Sequence, residues 1–137
     1  MIKISDIEQM AKNRLEDSKT LYRAMRYDGS YYFCGYVIEL GLKYRICRTL
    51  DWDGYFETAK EFKPKNSTGY NSFKTHDLDV LLKLSGIEKN IRTKFVAEWS
   101  IVRIWNSEKR YQPIGVINGI VTKTMLESSE IILRELL

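Results

Sequence analysis

The chain has 137 residues, a length at which one domain buries a hydrophobic core without disulfides or a structural metal. Its hydrophobic fraction of 44% and charged fraction of 29% are those of a globular protein, which excludes an intrinsically disordered chain. The formal net charge of +4 permits an anionic partner such as a nucleotide or RNA, but it does not require one.

The N-terminal segment is predicted to be a helix from Ser5 to Arg26. Small and apolar side chains recur at spacings of three and four on one face, which we expect to be buried: Ala11, Leu15, Ser18, Tyr22 and Met25. Ser5 followed by Glu8 predicts a capping box at the helix start. A tight turn follows, in which Asp28 or Ser30 is the expected cap of the next helix.

The second predicted helix, from about Ser30 to Leu50, is apolar nearly all round. Such a helix is buried at the centre of a fold or lies at an oligomer interface. We therefore expect a homodimer that forms through this helix. Gly35 and Gly41 lower the helix propensity, and we expect them to permit the close approach of a neighbouring helix.

The two cysteines indicate a reduced, cytoplasmic protein. Cys34 and Cys47 are separated by thirteen residues of one predicted helix, which places them about 20 Å apart and prevents a disulfide between them. The N-terminus has no signal-peptide pattern, and no apolar run approaches the roughly 20 residues of a membrane span. We therefore expect a cytoplasmic protein without a membrane partner.

The remainder of the chain predicts a long connection and three further helices. Residues 51–75 carry many loop signals, and a short helix around Tyr55–Phe62 is one alternative there. The next helices are expected at about 76–85, 88–106 and 115–137, with a loop at 107–114. Their expected inner residues are Leu78, Leu81 and Leu82, then Ile91, Phe95, Trp99, Val102 and Trp105, and finally Ile117, Val121, Thr124, Ser128 and Ile131.

No stretch shows the alternation of a β-strand, so the sequence predicts an all-α protein. Four long helices and one short helix, joined mostly by short turns, predict an antiparallel up-and-down helical bundle. We expect residues 1–137 to form a single domain of this kind.

Three stretches of the chain follow one another in a distinctive order. They are residues 14–19 with 26–32, then residues 35–43, in which Glu39 and Lys43 lie four apart, and then residues 75–78 with 110–113. Together they resemble the HEPN family of bacterial and archaeal helical-bundle proteins. The first is similar to that family's first helix and the turn that follows, the second to its "gyavElaLK" helix, and the third to its "HdL" helix start and "RYp" loop.

The resemblance implies a helical bundle that dimerises through its central helices and has a minimal nucleotidyltransferase as partner. It also implies a role in toxin–antitoxin or defence systems. Several members are metal-independent ribonucleases that use an arginine followed four to six residues later by a histidine. The only histidine of this chain, His76, has no arginine at that spacing. We therefore expect no catalytic residue, no cofactor and no metal, and a binding module is the preferred interpretation.

The binding interpretation places a nucleotide or phosphate on cationic and aromatic side chains, because guanidinium groups hold phosphate and aromatic rings stack on bases. The candidate residues are Lys43, Arg103, Lys109, Arg110 and Tyr111. A structural alternative is that Arg110 ties its loop to Glu39 or Asp77 while Tyr111 packs. A homodimer without a ligand is a further alternative.

Three more residues have a structural and a chemical interpretation. Glu39 forms an intrahelical pair with Lys43 at the bundle surface, or it is partly buried and pairs with a cation such as Arg110. His76 caps a helix together with Thr75 and Asp77, or it is the acid or base of a rearranged ribonuclease site with Arg110.

Overall fold

The computed structural model of the chain describes residues 1–56 and 73–137. Helices dominate this part of the chain, which confirms the all-α prediction. The elements are β1 Ile2–Lys3, α1 Ile4–Arg23, α2 Tyr27–Leu50, β2 Gly54–Tyr55, α3 Leu78–Leu84, α4 Glu88–Lys94, α5 Val96–Val102, a 3₁₀ helix Ser107–Tyr111 and α6 Gly119–Leu136. Most of the connection predicted at 51–75, and the part of the short helix predicted around Tyr55–Phe62 that follows Phe56, lie outside the described residues, while Tyr55 itself lies in β2. Among the helices described, none is both long and apolar enough to cross a membrane.

Helix α2 lies at the centre of the fold and packs against α1, α3 and α6. More than half of its residues are buried, which confirms the prediction of a central helix. Helix α1 runs antiparallel to α2, because Ser18 contacts Ser30 near the turn while Arg14 lies over the ring of Phe33. Hydrophobic contacts between these helices remove apolar surface from water and are the main stabilising term.

Two glycines of α2 allow its neighbours to approach closely, as predicted. A Cβ at Gly35 would lie 1.9 Å from the ring of Trp105, and one at Gly41 would lie 2.8 Å from Leu136. Because Gly41 meets the end of α6 and Tyr27 meets Gly119 at its start, α2 and α6 run parallel.

The prediction that the chain has no strand is wrong at one place. Ile2 and Lys3 pair antiparallel with Tyr55 and Gly54 in a two-residue ladder. A ladder this short produces no visible alternation in the sequence. Gly54 is needed there, because a Cβ would lie 2.3 Å from the carbonyl oxygen of Ile2.

The predicted caps of the first two helices are also wrong. Helix α1 begins at Ile4, and its N-cap makes no side-chain hydrogen bond. The Ile4 N–H donates to the carbonyl of Asp53, so a backbone hydrogen bond from the segment after α2 takes the place of the expected Ser5 capping box. Helix α2 begins at Tyr27, before both proposed caps. The Ser30 hydroxyl donates instead to the Ser18 carbonyl, and the Asp28 carboxylate accepts the Gly115 N–H. Tertiary contacts therefore use these polar side chains.

The helix predicted for 88–106 is divided into the seven-residue helices α4 and α5, so it is not one long helix. The break is at Phe95, whose φ of −125° and ψ of 33° are not helical. Its expected inner residues Ile91, Trp99, Val102 and Trp105 are nevertheless buried. The expected inner residues of α3 are buried as well.

Helix α6 begins at Gly119, with Asn118 as its cap, rather than at residue 115. Its predicted inner stripe is right at Ser128, which is buried, and wrong at Val121 and Thr124, which are exposed. Thr122, Met125 and Ile132 are buried instead. The stripe that packs against α2 is rotated by about one residue from the predicted one.

Candidate functional site

Glu39 and Lys43 form a buried ion pair in the middle of α2. The Lys43 ammonium donates to Glu39 Oε1 at 2.7 Å, and both side chains are 4% exposed. The pair is intrahelical, as one interpretation predicted, but it is buried rather than at the surface. The same carboxylate oxygen lies 2.8 Å from Nδ1 of His76. The partner of Glu39 from another element is thus His76 and not Arg110.

The local sequence around His76 holds this residue at the start of α3. Asp77 is the N-cap, because its carboxylate accepts the Val80 N–H at 3.1 Å. The Thr75 hydroxyl accepts the Asp77 N–H at 3.0 Å, so the predicted cap at Thr75 is displaced by two residues. The two turns fix the backbone on both sides of His76. Its hydrogen bond to Glu39 spans 37 residues, which rules out a purely local role.

The geometry determines which nitrogen of His76 faces solvent. An ionised Glu39 can only accept, so Nδ1 donates and the neutral ring keeps its acceptor at Nε2. The His76 side chain is 59% exposed, whereas the carboxylate that orients it is buried. A buried carboxylate that accepts a hydrogen bond from one ring nitrogen orients the imidazole and leaves its other nitrogen available as an acid or base.

Two tyrosines connect this cluster with the loop that follows α5. The hydroxyls of Tyr32 and Tyr36 are 2.8 Å apart, and both rings pack against Trp105. Burial raises the pKa of Tyr36 to about 12, with the Tyr32 hydrogen bond and the charge of Glu39 acting in the same direction. The Tyr36 hydroxyl therefore remains protonated near neutral pH and serves as a neutral hydrogen-bonding group.

Arg110 and Tyr111 lie at the far end of this network, in the 3₁₀ helix that Asn106 caps. The Arg110 guanidinium lies 4.7 Å from the centroid of the Tyr111 ring. Hydrogen bonds to Tyr111 and Tyr32 raise the pKa of Arg110. Tyr111 is 74% exposed, and in the described part of the chain neither Lys109 nor Arg110 forms an ion pair. We call Lys109, Arg110 and Tyr111 the basic corner.

A second cleft holds His76 and Arg103, but its charge is different. Asp77, Asp79 and Glu108 line the same cleft. Arg103 donates to Asp79 at 3.0 Å. Burial raises the pKa of Asp79, but hydrogen bonds from Arg103, Trp99 and Arg92 outweigh this effect and leave that pKa below its usual value. The charge of Arg103 is therefore largely compensated.

The structure brings the predicted residues together in two groups. Glu39, Lys43 and His76 form the buried cluster, and Lys109, Arg110 and Tyr111 form the basic corner. Sequence reasoning missed the two tyrosine hydroxyls that lie between the groups, although Tyr32 and Tyr36 have the spacing of four that aligns them on one helix face. In the ranges 1–56 and 73–137, no three metal-ligating side chains converge.

Comparison with known proteins gave no matching family model, no matching curated protein and no matching solved structure.

Proposed function

We propose that the chain is a HEPN-like, non-catalytic module that binds RNA or a nucleotide at the basic corner. The observation that carries the proposal is the exposed Tyr111 ring beside two cations without a carboxylate partner among the described residues. The ring offers a stacking surface, and the guanidinium and ammonium groups attract phosphate. A minimal nucleotidyltransferase partner and a toxin–antitoxin or defence role belong to this proposal through the family resemblance alone.

The surroundings of the other candidate cations narrow the site. Lys43 is buried beside Glu39, and Arg103 is tied to Asp79. Neither offers an uncompensated charge at the surface. The Arg110 guanidinium lies over the Tyr111 ring, so one ligand can contact both groups. The module we propose thus binds with Lys109, Arg110 and Tyr111 rather than with all five predicted residues.

Fluorescence anisotropy with a labelled single-stranded oligoribonucleotide, and with ATP and GTP, tests this function at low salt. Arg110→Ala and Tyr111→Ala are each expected to weaken binding about fivefold or more, because stacking contributes roughly 1–3 kcal/mol per base. Arg48→Ala, which removes an exposed cation near the end of α2, is the control and is expected to change affinity less than twofold. Undetectable binding of the wild type to all three ligands would exclude the proposal.

A metal-independent ribonuclease with a rearranged site is the second candidate, and the buried Glu39 that orients the exposed His76 ring favours it. In this reaction Nε2 would accept the 2′-hydroxyl proton while the resulting oxygen attacks phosphorus and the 5′-oxygen leaves. An arginine would stabilise the phosphate charge. Cleavage of total RNA in EDTA, absent in His76→Ala and reduced in Glu39→Gln, would support it. If the wild type leaves the RNA intact, the ribonuclease interpretation is excluded.

The proposed homodimer is supported by fewer residues of α2 than the sequence suggested. The apolar character of α2, from which it was predicted, is accounted for by packing against α1, α3 and α6 within one protomer. Phe33, Tyr36 and Leu40 of α2 line an accessible groove beside α1. A dimer through this groove would be dissociated by Leu40→Glu in light scattering, and a wild-type monomer at micromolar concentration would contradict it.

A further inference from the structure

Met25 ends α1 in a backbone conformation that methionine seldom adopts. Its φ of 59° is left-handed. Its N–H donates to the Tyr22 carbonyl and that of Arg26 to the Leu21 carbonyl, which together form a Schellman motif. Glycine usually occupies this position, because a Cβ is strained there.

The side chain of Met25 is 72% exposed, so core burial does not compensate for that strain. A residue that breaks two local rules without a gain for the fold is typical of a functional position.

Met25 belongs to a cluster of exposed aliphatic side chains at one end of the molecule. A groove of about 510 Å³ separates Leu21 and Met25 on one side from Ile114 and Ile117 on the other. Ile114 is 95% exposed, Ile120 80% and Val116 60%. We call Met25 and Ile114, which line this groove, together with the exposed Val116 and Ile120 that follow Ile114 in the chain, the apolar tip. Single exposed apolar residues are ordinary, whereas a contiguous group of them marks an interaction surface.

Basic side chains surround the apolar tip. Arg23 and Arg26 are exposed on the α1 side, and neither forms an ion pair within the described ranges. On the other side a smaller groove joins Ile114 and Ile117 to Lys109 and Arg110.

Two carboxylates lie nearby and leave the rim net positive. That of Asp28 accepts the Gly115 N–H, and Glu108 is exposed in the 3₁₀ helix. The rim therefore favours an anionic partner.

We propose that the apolar tip docks an acidic amphipathic helix of a partner protein. Aliphatic side chains of that helix enter the groove between Met25 and Ile114, and its carboxylates face Arg23, Arg26 and Arg110. A concave groove accepts a protruding side chain, which favours a protein over a lipid surface. A second copy is disfavoured, because a two-fold contact would oppose the same cations. The docking surface shares Arg110 with the basic corner, so partner and RNA compete for this guanidinium.

The test uses two labelled peptides of about 18 residues that form helices with leucine on one face. One carries glutamate on the other face and its counterpart carries lysine. The glutamate peptide is expected to bind the full chain at least about tenfold more tightly at low salt. Met25→Gly and Ile114→Asp are each expected to weaken it about tenfold. Ile104→Asp is the matched control, since Ile104 is 63% exposed in the cleft with His76.

Equal binding of the two peptides, or no binding of either, overturns the proposal, as does unchanged affinity in Met25→Gly and Ile114→Asp. Binding to anionic vesicles that depends on Ile114, without peptide binding, assigns the tip to a membrane instead. A fall in mass from dimer to monomer in Ile114→Asp assigns it to a second copy. RNA titration separates this proposal from the proposed function, because Met25→Gly leaves the basic corner intact, whereas Tyr111→Ala removes its stacking ring and leaves the apolar tip intact.

Discussion

At the scale of single residues, Glu39 and Lys43 place two opposite charges in the interior of the fold. Both side chains are 4% exposed, so both charges have lost most of their hydration. Desolvation of an ion pair is recovered only when geometry and additional hydrogen bonds are good. His76 supplies such a bond to Glu39 from a segment that is distant along the chain.

We expect Lys43→Met to lower the free energy of unfolding by about 3 kcal/mol, because it leaves the Glu39 charge buried without its ammonium partner. His76→Ala is the comparison and is expected to cost less than about 1 kcal/mol, since this ring is largely exposed. Urea unfolding monitored by circular dichroism measures both values. A larger loss of unfolding free energy in His76→Ala than in Lys43→Met would contradict the assignment of Lys43 as the main partner of Glu39.

We expect Met25→Gly to stabilise the protein by about 1 kcal/mol, because glycine adopts the left-handed conformation without strain. Ala24→Gly is the matched control, since Ala24 has a φ of −84° and gains nothing from glycine. It is expected to destabilise by up to about 1 kcal/mol. A stability loss in Met25→Gly as large as in Ala24→Gly would show that the methionine side chain supports the fold.

At the scale of elements, helix α2 organises the molecule through its two faces. Gly35 admits Trp105 on one face and Gly41 admits α6 on another, and Trp105 in turn packs against the rings of Tyr32 and Tyr36. The packing of Trp105 against α2 therefore also positions the tyrosines between the buried cluster and the basic corner.

Gly35→Ala is expected to destabilise the protein by about 2 kcal/mol, because its Cβ would overlap the Trp105 ring. Gly29→Ala lies in the same helix, but its Cβ would meet Leu21 at an ordinary 3.4 Å. That variant is expected to be neutral or stabilising by up to about 1 kcal/mol. Thermal unfolding of the two variants distinguishes steric overlap from helix propensity. Equal shifts of the unfolding midpoint in both variants would contradict the close contact between Gly35 and Trp105.

At the scale of the whole molecule, the buried thiols link stability to alkaline pH. Burial raises the pKa of Cys34 and of Cys47 to about 11 from a usual value near 9. Since the folded state holds these protons more tightly, their contribution is complete below pH 9 and is lost as pH rises towards 11.

We expect the free energy of unfolding to fall by roughly 2 kcal/mol per thiol across this interval. Cys34→Ala and Cys47→Ala should each flatten the decline, which urea titrations at a series of pH values would measure. A slope that is the same in both variants and the wild type would exclude the thiols as its source.

Much of the fold could be predicted, because helical periodicity is a local property. The inner residues of α3 and the close approaches at Gly35 and Gly41 follow from spacing and residue size alone. Met25 was expected to be buried for the same reason, yet it is exposed. The helix ends before Met25, which is itself the left-handed residue, and no spacing rule reveals that change of direction.

The sequence by itself determined that the chain is helical, that α2 is central and that cationic and aromatic residues follow α5. Only the tertiary structure decided that Glu39 meets His76 rather than Arg110, that Arg103 is compensated by Asp79, and that the apolar start of α6 remains exposed. These outcomes depend on contacts between segments far apart in the chain. Their free energies come from desolvation and from geometry in three dimensions, which a one-dimensional pattern does not contain.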